Sequence, residues 1–252
     1  NHVRGKLASP IDFNAEDREL MKQVIDYYHE NLKKSPEALS YLTKRGFSNS
    51  EMIDRFKIGY SNRTLGLRLP TSDGKTGVAI RERLIKIGIY RKTGHEHCSG
   101  SIVFPILDEN NHVAGVYARK IRDDLRAGTA YHLYLPGPHK GVFNIEALKV
   151  SKDIILCEAI IDALTFWCAG FRNVTASYGV GGFTSDHLEA FKKCGIEKVF
   201  IAYDRDKAGD TAADELSQKL IGEGFECFRV LFPRNMDANE YGLKMQPASK
   251  AF

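Results

Sequence analysis

The segment 201-IAYDRDKAGD-210 is an apolar run that ends in two aspartates, Asp204 and Asp206, just ahead of a glycine. In extended chain, residues two apart point to the same side. The pair therefore sets like charges side by side where a strand stops. Such carboxylates repel each other, and the usual remedies are a raised pKa or a bound cation. A lone D-x-D is more simply read as a solvated turn in which Asp206 caps the next helix. What surrounds the pair decides between the two.

From residue 151 the chain alternates short apolar runs with helical patterns. IILC (154–157), NVTASYG (173–179), KVFIAYD (198–204) and FECFRVLFP (225–233) read as strands. Between them, residues 160–170, 185–195 and 210–224 read as helices, with Gly170 and Gly195 as stops and Asp186 with Glu189 as a capping pair. Continuous apolar strands separated by helices predict a parallel sheet covered on both faces. Ligands of such sheets gather at the carboxyl ends of the strands.

Acids recur at those ends. The first strand closes on Glu158, with Asp162 one helical turn beyond it, and the stretch after the last strand, 235-NMDANEY-241, carries Asp237, Asn239 and Glu240. Glu158 alone could simply favour a helix N-terminus. Three strand ends offering acids to one sheet edge point instead to a hard divalent cation, which takes oxygen ligands and keeps several waters.

The first half has a different texture. Residues 14–58 carry helical patterns: Asn14 and Asp17 as a cap, Leu20, Val24, Tyr27, Tyr28 and Leu32 on one face, a restart at Ser35-Pro36, a stop at Gly46, and a capping box of Ser48 and Glu51. Residues 60–135 read as strands, at 78–85, 102–108, 112–121 and 131–137, with a hairpin turn at 108–111.

With 252 residues, 43% of them apolar, the chain can bury one large core or two smaller ones, and its net charge of +4 favours a polyanionic partner only weakly. The five cysteines lie far apart without a CxxC pair, which argues for reduced thiols and a cytoplasmic setting. The segment 95-HEHC-98 lacks a second cysteine pair and reads as a turn. Cys157, Phe166 and Trp167 read as packing. No apolar run is long enough to span a bilayer, so no membrane partner is expected. The glycines of 178-YGVGGF-183 fit either a close approach to phosphate or a tight turn.

Strand-Glu-x-x-x-Asp followed by strand-D-x-D and Ala-Gly resembles the TOPRIM domain of primases, topoisomerases and some nucleases. MIDRFKIGY (52–60), SIVFPILDENNHVAGVYARKI (101–121) and HKGVFNIEAL (139–148) resemble the catalytic core of bacterial replicative primases of the DnaG type. The resemblance covers roughly residues 20–240. Its D-A-N-E ending is closer to primases of phages and plasmids, which implies a mobile element. The sequence departs from the family at Ala159, where glycine is usual, and at Asn239, where the last acidic pair keeps only Asp237. His132 aligns with a basic position before the Pro-Gly loop. The zinc-binding and helicase-binding modules of such primases are not in this chain.

The resemblance implies an α/β chain with a mixed helical and β primase-core subdomain over 1–150, a TOPRIM subdomain over 151–241 and a tail over 242–252. It implies synthesis of short RNA primers on single-stranded DNA from nucleoside triphosphates. Asp204, Asp206 and Asp237 would hold Mg²⁺ or Mn²⁺. Glu158, supported by Asp162, would bind a second metal or move a proton. Arg55, Arg119, Lys120 and Lys140 would guide template or nucleotide, and a replicative helicase would dock through regions outside this chain. The rivals are a TOPRIM nuclease and a non-catalytic module that binds single-stranded DNA.

Overall fold

The computed structural model describes residues 8–245 and 247–252. Residues 1–7 of the expected first subdomain and residue 246 of the expected tail lie outside the described residues. The chain forms two compact units that interleave along the sequence. One runs to Tyr41 and adds Ile53–Pro105 and Gly115–Pro138; the other takes Leu42–Met52, Ile106–Ala114 and His139–Phe252.

In the first unit, α1 (Asp17–Lys33) buries Leu20, Val24, Tyr28 and Leu32 as its periodicity predicts. It begins after Glu16 with no side-chain cap, so the expected Asn14 cap does not form. The next helices are α2 (Pro36–Lys44) and α3 (Ser50–Arg55). α3 is capped by Asn49, whose Oδ1 accepts from the Met52 amide at 3.3 Å, in place of the expected Ser48–Glu51 box. α1 lies on β1 (Gly59–Ser61). A Cβ at Gly59 would stand 2.8 Å from the Tyr28 backbone, so the close approach requires glycine.

The expected strand at 78–85 is instead helix α4 (Lys75–Lys86). Gly77, Ile80 and Leu84 are its buried positions, at spacings of three and four, while Glu82 on the other side is exposed. β2 (Ser101–Leu107), β3 (Val113–Lys120) and β4 (His132–Tyr134) complete a sheet ordered β1-β2-β3-β4. The turn at 108–111 forms as expected: the Asp108 carboxylate accepts from the amides of Asn110 and His112, and Asn111 takes a left-handed φ of 63°.

The second unit holds α5 (Ile145–Val150), β5 (Asp153–Cys157), α6 (Ile160–Cys168), β6 (Val174–Ala176), α7 (Ser185–Cys194), β7 (Lys198–Ala202), α8 (Lys207–Gly222), β8 (Glu226–Arg229) and α9 (Ala238–Lys244). The strands are all parallel, as the alternation of strands and helices predicts, and are ordered β6-β5-β7-β8. Leu148, Ile154, Leu156, Phe191, Val199, Ile201, Leu216 and Leu220 join α5, α7 and α8 to one face of the sheet. The apolar α6, with Phe166 and Trp167 buried, packs on β5, β6 and α9. The final residues are not loose: Phe252 packs 4.2 Å from the Phe166 ring, centroid to centroid, and also meets Phe232 and Tyr241.

α7 is capped by Thr184 and His187 rather than by Asp186 and Glu189. His187 is fully buried and its Nε2 donates to the Ala176 carbonyl at 3.0 Å. That bond leaves Nδ1 to accept from the Thr184 amide at 3.1 Å. Burial pushes the imidazole pKa down to about 4. The unfolded chain regains the ordinary value near 6.5 and so binds the extra proton first. The stability carried by neutral His187 is complete above that value and is lost as pH falls toward 4. Urea unfolding from pH 7 to 4.5 should show this loss, on the order of 3 kcal/mol at the acid limit, in the wild type. The His187→Gln variant, which keeps a capping side chain without the proton, should have a flatter profile; parallel profiles would remove the histidine from the pH response.

Candidate active site

The acids are placed by the strand ends and by the helices that follow. β5 stops at Cys157 in register with Ala202 of β7, so Glu158 and the 203–206 turn leave neighbouring strands at the same level. Asp206 is the N-cap of α8 and accepts from the Gly209 amide at 2.7 Å. Asp237 is the N-cap of α9 and accepts from the Glu240 amide at 2.6 Å. The capping role weighed against metal binding for Asp206 is therefore real, and Asp237 has the same role unexpectedly. It uses one oxygen of each carboxylate and fixes the direction of the other. A Cβ at Gly209 would lie 2.4 Å from the Asp204 carbonyl oxygen, so the first turn of α8 can close over the D-x-D backbone only with glycine there.

Backbone bonds bring the third strand end to the second. The Arg205 amide donates to the Met236 carbonyl at 3.1 Å, and the Asn235 amide donates to the Arg205 carbonyl at 2.9 Å. Underneath, Arg229 of β8 grips the end of β7. Its Nη1 donates to the carbonyls of Ile201 and Tyr203, and its Nη2 to the Asp204 carbonyl and to Asp210 Oδ1.

Charge at the site follows from this crowding. Burial first, then Glu158, Asp237 and Asp206, raises the Asp204 pKa to about 7. Burial also raises Glu158, with the charges of Asp206 and Asp237 adding to it against the opposing Asp204 amide and Arg229. Asp162 is fully enclosed, and burial, Asp237 and Asp204 push it well above the usual carboxylate range. All five expected acids thus act on one another. Glu158 Oε2 is buried and has no hydrogen-bond partner.

Asn239 has a different job from a ligand. Its amide N–H donates to Asp162 Oδ1 at 3.1 Å, and its side-chain NH₂ donates to the Arg45 carbonyl and to Thr165 Oγ1, each at 2.9 Å. Its Oδ1 accepts from Arg45 at 3.2 Å. A carboxylate could not supply the two side-chain donations.

Among the described residues, no three His, Cys, Asp or Glu side chains form a group that could alone hold a metal ion. An all-oxygen donor set with one orphaned buried oxygen nevertheless suits Mg²⁺ or Mn²⁺, since Mg²⁺ is commonly held by one or two carboxylates with waters and substrate phosphates.

The basic residues divide between the units. Arg55, exposed at the end of α3, and Arg119 on β3 belong to the first. Arg119 stacks toward the Tyr131 ring at 5.9 Å and contacts His132 across the β3–β4 pair. Lys120 does not share that face; its ammonium turns to the Ser99 carbonyl. Lys140 is exposed in the second unit. Its carbonyl and that of Gly141 both accept from the Tyr178 hydroxyl at 2.8 Å. The 178–183 loop is a tight turn: the Tyr178 amide donates to Gly182, and a Cβ at Gly182 would fall 2.3 Å from the Tyr178 backbone.

Comparison with known proteins adds the family. A sequence model of the N-terminal domain of the DNA primase catalytic core matches residues 27–145, and one described as Toprim-like matches residues 155–242. The chain belongs to the DnaG-type primase family. Among relatives of this primase core, DNA primase of Helicobacter pylori strain J99 is 28% identical over 238 residues, covering 88% of the chain and 40% of that relative. DNA primase of Chlamydia pneumoniae is 30% identical over 225 residues, covering 85% and 36%. The chain therefore spans about two fifths of the length of the curated relatives it matches. Two solved structures share the fold. One is the Aquifex aeolicus primase with its zinc-binding and RNA polymerase domains, at a TM-score of 0.76, 23% identity and coverage of 95% of this chain and 60% of that one. The other is the DnaG primase catalytic domain bound to single-stranded DNA, at 0.73, 23%, 90% and 76%.

Arg229 was not among the residues expected from the sequence, because a lone arginine in an edge strand reads as a solvated side chain. Its four bonds make it a positioning residue for the D-x-D turn. Arg229→Met keeps the length but takes the side-chain donor from the Tyr203 and Asp204 carbonyls, one of two donors from the Ile201 carbonyl, and the nearer cation from Asp210. Chemical denaturation should show a loss of about 2–4 kcal/mol; a loss below about 0.5 kcal/mol, the range of ordinary surface changes, would deny the clamp its role.

Proposed function

We propose that this chain is the catalytic core of a DNA primase, joining ribonucleotides into short RNA primers on single-stranded DNA. The observation that carries the reading is the crowding of five acids at the carboxyl ends of a parallel sheet, where Glu158, Asp162 and Asp204 are raised by burial and neighbouring carboxylates and Glu158 Oε2 is buried and unpaired. The names of the relatives support the same reading, as does the solved neighbour that carries single-stranded DNA. In this reading residues 1–150 form the primase-core subdomain and residues 151–241 the TOPRIM subdomain. A cytoplasmic setting, a replicative helicase partner and a mobile-element origin belong to the proposal as well.

Asp204, Asp206 and Asp237, with Glu158 at the edge of the set, would hold Mg²⁺ or Mn²⁺. The ion would supply charge neutralisation at the triphosphate and polarisation of the α-phosphorus. The chain's own groups do the rest. Asp206 and Asp237 present fixed oxygens because their other oxygens are spent on helix caps. The Glu158 carboxylate takes the proton of the attacking 3′-hydroxyl. The 3′-oxygen forms the new bond to the α-phosphorus, the bond to the bridging oxygen breaks, and pyrophosphate leaves. A glutamate raised by burial is better matched to this task near neutral pH than an ordinary one. Asp162, held toward its protonated form, supports the cluster without adding a full charge. Arg55, Arg119 and Lys140 guide the template or the incoming nucleotide. Phosphate contacts of that kind read no sequence and weaken with salt.

Two measurements test this. Millimolar Mn²⁺ should raise the melting temperature of the wild type, because an ion that binds only the folded state stabilises it. The Asp204→Asn/Asp206→Asn variant should not respond; an equal shift in both would place the ion elsewhere. Glu158→Gln should cut dinucleotide synthesis from ribonucleotides on a single-stranded template by about 10²–10⁴-fold, with circular dichroism and DNA affinity unchanged. Synthesis within a few-fold of wild type would take Glu158 out of proton transfer, and degradation of the template in place of synthesis would make the chain a nuclease.

A further inference from the structure

The first unit contains a half-enclosed cavity of about 500 Å³ bordered by Arg91, His95, His97, Ser99, Lys120 and Leu133. It belongs to the opposite face of the β3–β4 ladder from Arg119. Arg119 pairs with His132 and Ala118 with Leu133, so Leu133 and Lys120 share the other side. None of the five acids of the second unit lines it.

The cavity wall carries the cations Arg91 and Lys120, and neither pairs with an acid among the described ion pairs. Lys120 is half-buried, and the hydrogen bond of its ammonium among the described residues goes to a neutral carbonyl, that of Ser99. The guanidiniums of Arg63 and Arg91 both act on it, and burial together with these like charges lowers its pKa. Gly100 keeps this crowding possible, since a Cβ there would sit 2.8 Å from Arg63 Nη2. Arg91 donates to the His97 carbonyl at 3.3 Å, which leans it over the same wall. His97 Nε2 donates to the Tyr134 carbonyl at 2.7 Å, and that bond leaves Nδ1 for another partner. The one acid in the lining, Glu96, is buried and already engaged: its oxygens accept from the Tyr28 hydroxyl, the Ser61 hydroxyl and the Leu65 amide.

A guanidinium and a half-buried ammonium facing one cavity repel each other unless an anion joins them. Arginine and lysine side by side suit phosphate, the first through paired donors and the second as a point charge. A cavity of this volume falls in the range of small-ligand pockets, roughly 300–1,000 Å³. We propose that this cavity is a second anion site, holding the phosphates of a small phosphorylated ligand of nucleotide size apart from the acidic centre. Because no carboxylate is available there to carry a metal, binding needs no divalent ion. The inference does not depend on the proposed polymerase chemistry.

Calorimetric titration of the full chain in EDTA separates the two sites. ATP and inorganic tripolyphosphate should both bind without metal. Arg91→Ala and Lys120→Gln, singly or together, should weaken binding by at least about tenfold, the size of one lost charge-assisted contact. Asp204→Asn/Asp206→Asn should leave it unchanged. Lys120→Gln keeps the side-chain stem and a donor for Ser99. If it nevertheless unfolds, Arg91→Ala at an exposed position decides the matter. Absence of ATP binding in EDTA, equal affinity in the Arg91 variant, or loss in the aspartate variant would each overturn the site. So would metal-free binding of a single-stranded oligodeoxynucleotide with none of ATP, since the cavity would then be part of a template path.

Discussion

Mutual repulsion of carboxylates at the end of a parallel sheet is the constraint to which the second unit is built. Glu158, Asp162, Asp204, Asp206 and Asp237 act on one another, and no lysine or arginine in their midst forms a direct pair with Glu158 or Asp204 among the described ion pairs. The fold answers with weaker, distributed positive charge. Asp206 and Asp237 sit at helix N-termini, where unpaired amides and the helix dipole favour a negative group. Arg229 lies beneath the D-x-D turn, bonded to backbone carbonyls and Asp210 rather than to the cluster itself. Its positive charge holds down the rise in the Glu158 pKa without neutralising the carboxylate. The cost is partly offset and the site remains receptive to a cation.

The same devices set geometry. A capped aspartate cannot turn freely, because moving it would release the first amides of its helix. The Arg205–Met236 and Asn235–Arg205 backbone bonds tie two such caps together. The acids are consequently preorganised by secondary structure rather than by ligands, which is the economical arrangement where charge must be stabilised on demand.

The second half was largely legible because its signal is redundant. Strand length, helix period and the position of acids at strand ends agree on a parallel sheet, while the order β6-β5-β7-β8 comes from the structure. The misread elements had signals of one kind only. In 78–85, Val78, Ile80, Leu84 and Ile85 fit two periods at once, and the burial of Gly77 that identifies the helix face is invisible in composition. Thr184 and His187 form a cap that sequence rules assign to acids, because histidine fills the place of glutamate only when buried and neutral. Arg119 and Lys120 look equivalent as neighbours, yet strand alternation sends them to opposite faces. Arg229 was hidden because its partners are carbonyls, and a carbonyl leaves no mark in a sequence.

Asn239 shows why a missing charge in a motif need not be a degraded site. Its NH₂ bonds two acceptors, the Arg45 carbonyl and Thr165 Oγ1, and its own backbone amide steadies Asp162. A carboxylate at this buried position would add a sixth acid to a cluster that already raises Asp204 to about 7, and it would strand both acceptors. The amide instead converts one arm of the acidic set into a hydrogen-bonded anchor for the start of α9. That anchor fixes Asp237 two residues earlier. The charge given up at Asn239 thus reappears as order at the aspartate that remains.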